Sequence, residues 1–465
     1  MENSNNEPSD DVEPTDRTNA ERGLVPIVIL NALSEAENAV YGLNNEQAAE
    51  EGVQENETDD DDENVEDDNY YLNGFVEMRE EINLSDDDNS HEEQQEVVRT
   101  FDTSLPTEHA YLGNDLEYLR GRVLFEDYQI VRLQILPGDA IVCPGYTLPF
   151  TFYQYRSVIQ QILQKDKTFG LTYSLGSRYN IMNLIGVTME IFEYAETPHE
   201  IKIKAKGRQR FRVLDIDPKS SPFEHRVQIL PEVDLPHPLN AIQFDSLNKF
   251  RLHVQQDKST FKHNQFFRCR DAIQTRWPLW VFTSYDEDYL VTEIFDLLKN
   301  FKEILPRDPL KLSYWVIQNF LLSTAERIEA LKFNSSVQRL RFVLNNMRNP
   351  RYISCSQCQS EFAGQEDLFP MSKDGLQNNF VNPGGVVHET ITVLRAHRIS
   401  LIGQPQVVYS WFPGYAWTIA QCSVCTNHHI GWRFTATTPD LLPQKFYGLT
   451  RSSVMIKTIK NDKSV

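Results

Sequence analysis

The sequence predicts a mainly β protein interrupted by an α-helical insertion, and three observations carry that expectation. Between residues 113 and 239 apolar and polar residues alternate between Pro-Gly turn pairs, as half-buried strands require. From 240 to 348 the apolar period lengthens to that of a helix. From 350 to 459 β-like sequence returns with many turns, and four of the six cysteines lie there.

Ahead of these segments, residues 1–99 read as a disordered acidic tail. They hold 31 of the 67 Asp and Glu but only 4 of the 45 Lys and Arg, so the formal charge of −22 splits into a tail near −27 and a remainder near +5. The acidity therefore describes the tail and not the folded part. Runs such as Asp59-Asp60-Asp61-Asp62-Glu63 cannot bury enough surface to offset the entropy of ordering. The plain reading is a solvated tail; the sharper one is a docking tail phosphorylated at Ser85, which Asp86, Asp87 and Asp88 follow. The best apolar run, Leu24–Leu33, is short, contains Pro26 and is preceded by Glu2, Glu7, Asp10 and Asp11. Neither a membrane helix nor a signal peptide is expected, and the chain is placed in nucleus and cytoplasm.

In the first β region, Ile135–Phe150 reads as strand, turn, strand about Pro137-Gly138 and Pro144-Gly145. Phe169–Tyr173, Val187–Tyr194 and Ile201–Ile216 are further strands, with Gly207 expected at a tight bend. In the insertion, Ile294, Leu297, Leu298, Phe301, Ile304 and Leu305 fit one helix face that Pro306 ends. Ser323 with Glu326 and Ser335 with Gln338 have capping-box spacing, expected to start two more helices carrying Ile328 and Leu331, then Leu340, Val343 and Leu344.

Cys355-Ser356-Gln357-Cys358 and Cys422-Ser423-Val424-Cys425 are two C-x-x-C knuckles, each able to aim both thiolates at one tetrahedral metal. In a reducing compartment one structural Zn2+ is favoured over disulfides or a redox pair. The knuckles are 63 residues apart, so the metal is expected to clamp two distant hairpins, with His428 and His429 as loop residues. Trp411, Trp417 and Trp432 fall close together with Phe412, Tyr415 and Phe434 around the second knuckle. This concentration reads either as a packed aromatic core or as a cage for a cation or a flat neutral ring.

Longer runs are distinctive. Ser410–Thr418 (SWFPGYAWT), Ile430–Thr437 (IGWRFTAT), Pro443–Arg451 (PQKFYGLTR), Asn382-Pro383 and Val387-His388-Glu389-Thr390 resemble the thalidomide-binding (CULT) domain of the cereblon family. Phe101–Pro106 (FDTSLP), the Ile162–Phe169 stretch, Lys206–Phe211 (KGRQRF) and Val227–Glu232 (VQILPE) resemble that family's Lon N-terminal-like domain.

The resemblance implies a Lon N-terminal-like β domain over 113–239, an adaptor-binding helical bundle over 240–348 and a zinc-stapled CULT-type β-tent over 350–459. It implies a non-catalytic substrate receptor of a cullin-4-type RING E3 ubiquitin ligase, directing ubiquitinated targets to the proteasome. Implied partners are the damaged-DNA-binding-protein-type adaptor, through it the cullin, substrate proteins and cyclic imides, with no nucleic acid or membrane. Trp411, Trp417 and Trp432 would wall a glutarimide ring over Phe434, the imide bonding near Tyr409 and Trp411, with Ser410, Asn382 and Pro383 at the rim. Here Tyr409 stands where the family commonly has His, altering a side-chain contact. Gly384 stands where another His is frequent, removing bulk from the rim.

Rival readings are an aromatic-cage methyl-lysine reader and two enzymes. A methionine sulfoxide reductase would need a nucleophilic cysteine beyond the four knuckle residues, and Cys143 and Cys269 lie in other domains. An ATP-dependent protease would need a G-x-x-x-x-G-K-[ST] loop, which the sequence lacks.

Overall fold

The structure is a computed structural model that describes residues 99–459, apart from 114, 121–122, 154, 174–183, 217–223, 236–277 and 426–427. The expected tail up to 98, the start of the helical insertion through Trp277, and Cys269 lie outside the described residues.

After β1 (Arg99–Thr100) and a short helix α1 (Leu105–Glu108) comes a β region. It consists of β2 (Glu117–Tyr118), β3 (Ile130–Gly138), β4 (Thr147–Phe152), helix α2 (Arg156–Gln164), β5 (Thr168–Tyr173), β6 (Ile185–Glu196), β7 (Ile201–Ile216) and β8 (Glu224–Ile229). Hydrogen-bonded neighbours run β2-β6-β5-β3-β8-β7-β4, and β6 also pairs with β7. Strands β6, β5, β3, β8 and β7 thus close into a ring, with β2 and β4 added at its margins. Alternate residues point inward: Phe211, Val213, Val227 and Ile229 fill one end. Phe169, Met189, Ile201 and Ile203 fill the other, sealed by Val158, Ile159 and Ile162 of α2. Each such side chain contributes about 1.5–3 kcal/mol on burial.

Gly207 is not at a bend. It lies inside the continuous strand β7, donating to the Tyr146 carbonyl and accepting from Gly145 N–H, both at 2.8 Å. A Cβ there would come within 2.7 Å of the Cys143 carbonyl, so glycine is required by close backbone approach and not by turning.

The described helices are α3 (Leu279–Thr283), α4 (Glu287–Leu297), α5 (Pro309–Asn319), α6 (Thr324–Leu331) and α7 (Ser336–Met347). Asp286 and Asp308 cap α4 and α5 through their carboxylates, and Ser323 with Glu326 forms the full capping box of α6. The second expected box fails: Ser335 precedes α7 without a side-chain cap bond, its buried hydroxyl unpartnered among the described residues. The long expected helix is also split. α4 ends at Leu297, itself largely exposed, and a 3-10 turn over Lys299–Phe301 returns Phe301, Ile304 and Leu305 to the core.

The last region contains β9 (Arg351–Cys355), β10 (Glu361–Gly364), β11 (Gln377–Val381), β12 (Val387–Val393), β13 (Ile399–Gln406), β14 (Tyr415–Cys422), β15 (His429–Ala436), β16 (Leu441–Leu442), β17 (Lys445–Thr450) and β18 (Val454–Thr458). They form a six-stranded sheet, β11-β12-β17-β15-β14-β13, and a three-stranded one, β10-β9-β18. One apolar core runs from α4–α7 into both sheets, so the helices and this domain share an interior.

The Phe101–Pro106 stretch, matched in sequence to the barrel, packs on the tent instead. β1 pairs in parallel with β16, and Phe101 meets Tyr415 edge to face at 5.4 Å. No helix among the described residues is long and apolar enough to cross a membrane.

Candidate zinc centre and aromatic pocket

Each knuckle is a hairpin turn. Cys355 ends β9 and Cys358 sits in the turn to β10; Cys422 ends β14 and Cys425 sits in the turn to β15. The four sulfurs all lie within 4.8 Å of one another, Cys355–Cys425 at 3.6 Å and Cys358–Cys422 at 3.5 Å. A tetrahedral zinc with Zn–S bonds near ~2.3 Å places its sulfurs about 3.8 Å apart, so the set fits the ion. The metal joins the two sheets, the clamp that the knuckle spacing implied. His428 is not a ligand: its Nε2 lies 3.1 Å from Ser356 Oγ and 3.0 Å from the Ser453 carbonyl, tying the turns together. Cys143 is buried and its thiol is pushed up to about 12 by that burial, the reverse of a reactive thiolate.

The aromatic residues meet because of strand register. Trp417 pairs with Phe434 and Ile419 with Trp432 across β14–β15, and residues two apart share a face. Trp417, Ile419, Trp432 and Phe434 therefore line one side of the sheet. The turn through Pro413-Gly414, with Gly414 at φ 90°, brings Trp411 back onto them. Trp411 and Trp432 stand edge to face, ring centroids 4.7 Å apart. Phe434 lies beneath, 6.4 Å from Trp411 and stacked on Phe446 at 5.0 Å. Trp411 Nε1–H donates to the Val381 carbonyl at 3.3 Å, and Trp417 Nε1–H to the Val408 carbonyl at 2.9 Å. Trp411 and Trp432 are 6% exposed, whereas Trp417 is only partly buried. Ser410 Oγ stays local, bonding the Phe412 carbonyl at 3.1 Å.

Tyr409, at φ 59° and 61% exposed, lines with Asn382 and Pro383 a cleft beside the tryptophans. Two site residues went unrecognised in the sequence. His388 on β12 lies 5.7 Å from Trp411 and 5.0 Å from Trp432, and His429 lies 4.8 Å from Trp432. Burial brings His388 down to about 3 and His429 to about 4, so both are neutral, and each Nε2 is buried without a partner among the described residues. Val387-His388 was legible as a motif, but its approach to Trp432 comes from the β12–β17–β15 neighbourhood, which is long-range.

Behind His388, Glu389 pairs at 2.6 Å with Arg327 of α6, whose guanidinium also donates to the Ile141 carbonyl of the barrel region at 2.9 Å. Arg451 is half-buried beside them and donates to the Leu322 carbonyl at 2.7 Å; desolvation, then the Arg327 charge, brings its pKa down to about 10.

Two family models match this chain. Residues 132–349 match the family described as ATP-dependent protease La (LON) substrate-binding domain, and residues 351–465 match Yippee zinc-binding/DNA-binding/Mis18, centromere assembly. With the four-cysteine cluster, the second match assigns one structural zinc. A solved Lon N-terminal domain protein from Xanthomonas campestris aligns over 46% of this chain and 98% of its own, at 12% identity and a TM-score of 0.28. Protein cereblon of Gallus gallus is 39% identical over 76% of this chain and 84% of its own length. That of Danio rerio is 39% identical over 82% and 93%. That of Drosophila virilis is 34% identical over 78% of this chain and 58% of its own. With a zinc-clamped tent, a Lon-type barrel region and identity sustained across both, the chain belongs to the cereblon family.

Proposed function

We propose that the chain is the non-catalytic substrate receptor of a cullin-4-type RING E3 ubiquitin ligase, recognising cyclic imides in the corner formed by Trp411, Trp417 and Trp432. The observation that carries this reading is the perpendicular Trp411–Trp432 pair over Phe434, with Trp417 partly exposed on the same sheet face. Indoles at right angles offer one face and one edge to a flat ring and exclude water from it. The neighbouring imidazoles of His388 and His429 are neutral, and Glu389, next to His388, is turned to Arg327. A methyl-lysine site would favour a carboxylate facing the cation; this environment favours a neutral ring. The imide N–H and carbonyls would bond backbone groups near Tyr409 and Trp411, with Ser410, Asn382 and Pro383 closing the rim.

Ligase assembly is read from the helices. Trp280 on α3 is 69% exposed, and Tyr285 after it is also exposed, a surface suited to anchoring an adaptor of the damaged-DNA-binding protein type and through it the cullin. Phe295 packs inward against the core. The nucleus and cytoplasm are the compartments this role requires, and substrate proteins are the partners; neither nucleic acid nor membrane has a part in it.

Titrating the full chain with a simple glutarimide, following tryptophan fluorescence, tests the reading. Saturable quenching or enhancement at micromolar concentration is expected, with no response to a trimethyllysine peptide; the reverse preference would overturn it.

A further inference from the structure

Beside the aromatic corner lies a cleft of about 220 Å³ that shares Asn382, Pro383 and Tyr409 with the rim of the ring site and extends past it to the barrel region, which the ring-binding reading does not use. Its tent side is Val381, Asn382, Pro383 and Tyr409; its barrel side is Thr151, Glu200 and Lys202; Tyr111 and Leu112 complete it. It adjoins the corner: the carbonyl of its lining residue Val381 accepts from the Trp411 indole. Tyr409 stands two residues before Trp411, at the junction.

The wall is chemically unlike the aromatic corner. Glu200 Oε1 and Lys202 Nζ face each other at 3.1 Å, both half-buried, on the segment entering and beginning β7. Tyr153 stands beside Glu200 on the barrel side and ties it to the tent, its hydroxyl donating to the Pro383 carbonyl at 2.5 Å. Gly385 permits the contact: it sits at φ 83°, and a Cβ there would come within 2.8 Å of the Thr151 carbonyl. An ammonium and a carboxylate side by side offer one donor and one acceptor, the complement of a peptide group. A cleft of this volume holds several waters and has room for a short stretch of main chain.

We propose that this cleft is a second subsite, which takes the peptide backbone of the residues immediately preceding a C-terminal cyclic imide. Lys202 donates to a substrate carbonyl and Glu200 accepts a substrate N–H, so recognition is by main chain and tolerant of sequence. The proposal rests on the cyclic-imide reading of the aromatic corner. It supplies what the corner cannot: a ring of about eight heavy atoms at a very efficient ~1 kcal/mol per atom reaches only roughly micromolar affinity.

The test compares, on the full chain by calorimetry, a bare glutarimide with a tripeptide ending in a cyclic imide. The extension is expected to tighten binding about tenfold, whether the added residues are Ala or Ser. Lys202→Glu is expected to erase that gain while leaving affinity for the bare ring within twofold. The double exchange Glu200→Lys with Lys202→Glu restores donor and acceptor and is expected to recover most of the gain, which separates subsite loss from a folding defect. Ring binding with no gain on extension, or a Lys202→Glu loss equal for ring and peptide, would overturn the subsite alone. Absence of ring binding would overturn both readings.

Discussion

The Glu389 carboxylate stands 2.6 Å from the Arg327 guanidinium, with the two side chains 6% and 1% exposed, at the place where barrel region, helices and tent meet. A buried pair opposes its own desolvation, so its presence is weak evidence of stability, but removing one partner leaves a charge in a dry site. Arg327→Ala is therefore expected to destabilise the protein by up to about 3–5 kcal/mol, less what Gln377 and the neighbouring Arg451 give back to Glu389. Denaturant unfolding followed by tryptophan fluorescence measures it; a change under 1 kcal/mol would show the pair to be dispensable.

Zinc removal should unfold the tent, because the metal is what joins the tips of two hairpins in different sheets. Changing both Cys422 and Cys425 to Ala is expected to abolish the one bound zinc, and a strong chelator to lower the melting transition of the parent. Full zinc content with an unaltered transition in the double variant would place the metal elsewhere.

In the aromatic corner, Trp417→Ala and Trp432→Ala are expected to eliminate detectable glutarimide binding. Tyr409→His should change it by only about 1 kcal/mol or less, since Tyr409 is exposed and the imide contacts there are to backbone. Calorimetry on the three variants gives the ordering, and a Tyr409→His effect larger than either tryptophan loss would sink it. Because Trp432 is also packed against His388 and His429, Trp417→Ala is the cleaner of the two.

Trp280→Ala separates partner anchoring from folding. The side chain is 69% exposed, so stability is expected to hold within about 0.5 kcal/mol while adaptor affinity falls by about 2 kcal/mol or more. Co-purification with the adaptor, alongside a melting curve, reads both; retained adaptor would move the interface off α3.

The protein should lose stability as pH falls below about 6.5. His109 is held at about 3, His388 at about 3 and His429 at about 4, chiefly by burial, so between those values and the ordinary 6.5 the unfolded chain binds more protons than the folded one. The sign is therefore stability fully present above pH 6.5 and lost on acidification, about 2 kcal/mol per histidine by pH 5. Denaturation midpoints at pH 7.5, 6 and 5 check it, and His388→Gln should flatten the slope.

The chemistry of this protein was legible in the sequence wherever it depended on local spacing. C-x-x-C sets the reach of two thiolates, the alternation of Ile201–Ile216 sets strand period, and Ser323 with Glu326 sets a helix start, each within a few residues. Local spacing failed where neighbours distant in sequence took over. Gly207 looked like a bend until the 143–146 turn was seen crossing β7, and Ser335 had capping spacing but made no cap bond. The stripe through Leu305 suggested one helix where core packing bends the chain after Leu297. His388 beside Trp432, Phe101 in the tent, and the cleft joining Lys202 to Tyr409 bring together residues from separate elements. Their proximity is set by strand pairing and shared cores, which depend on the folded chain as a whole, so only the tertiary structure decided them.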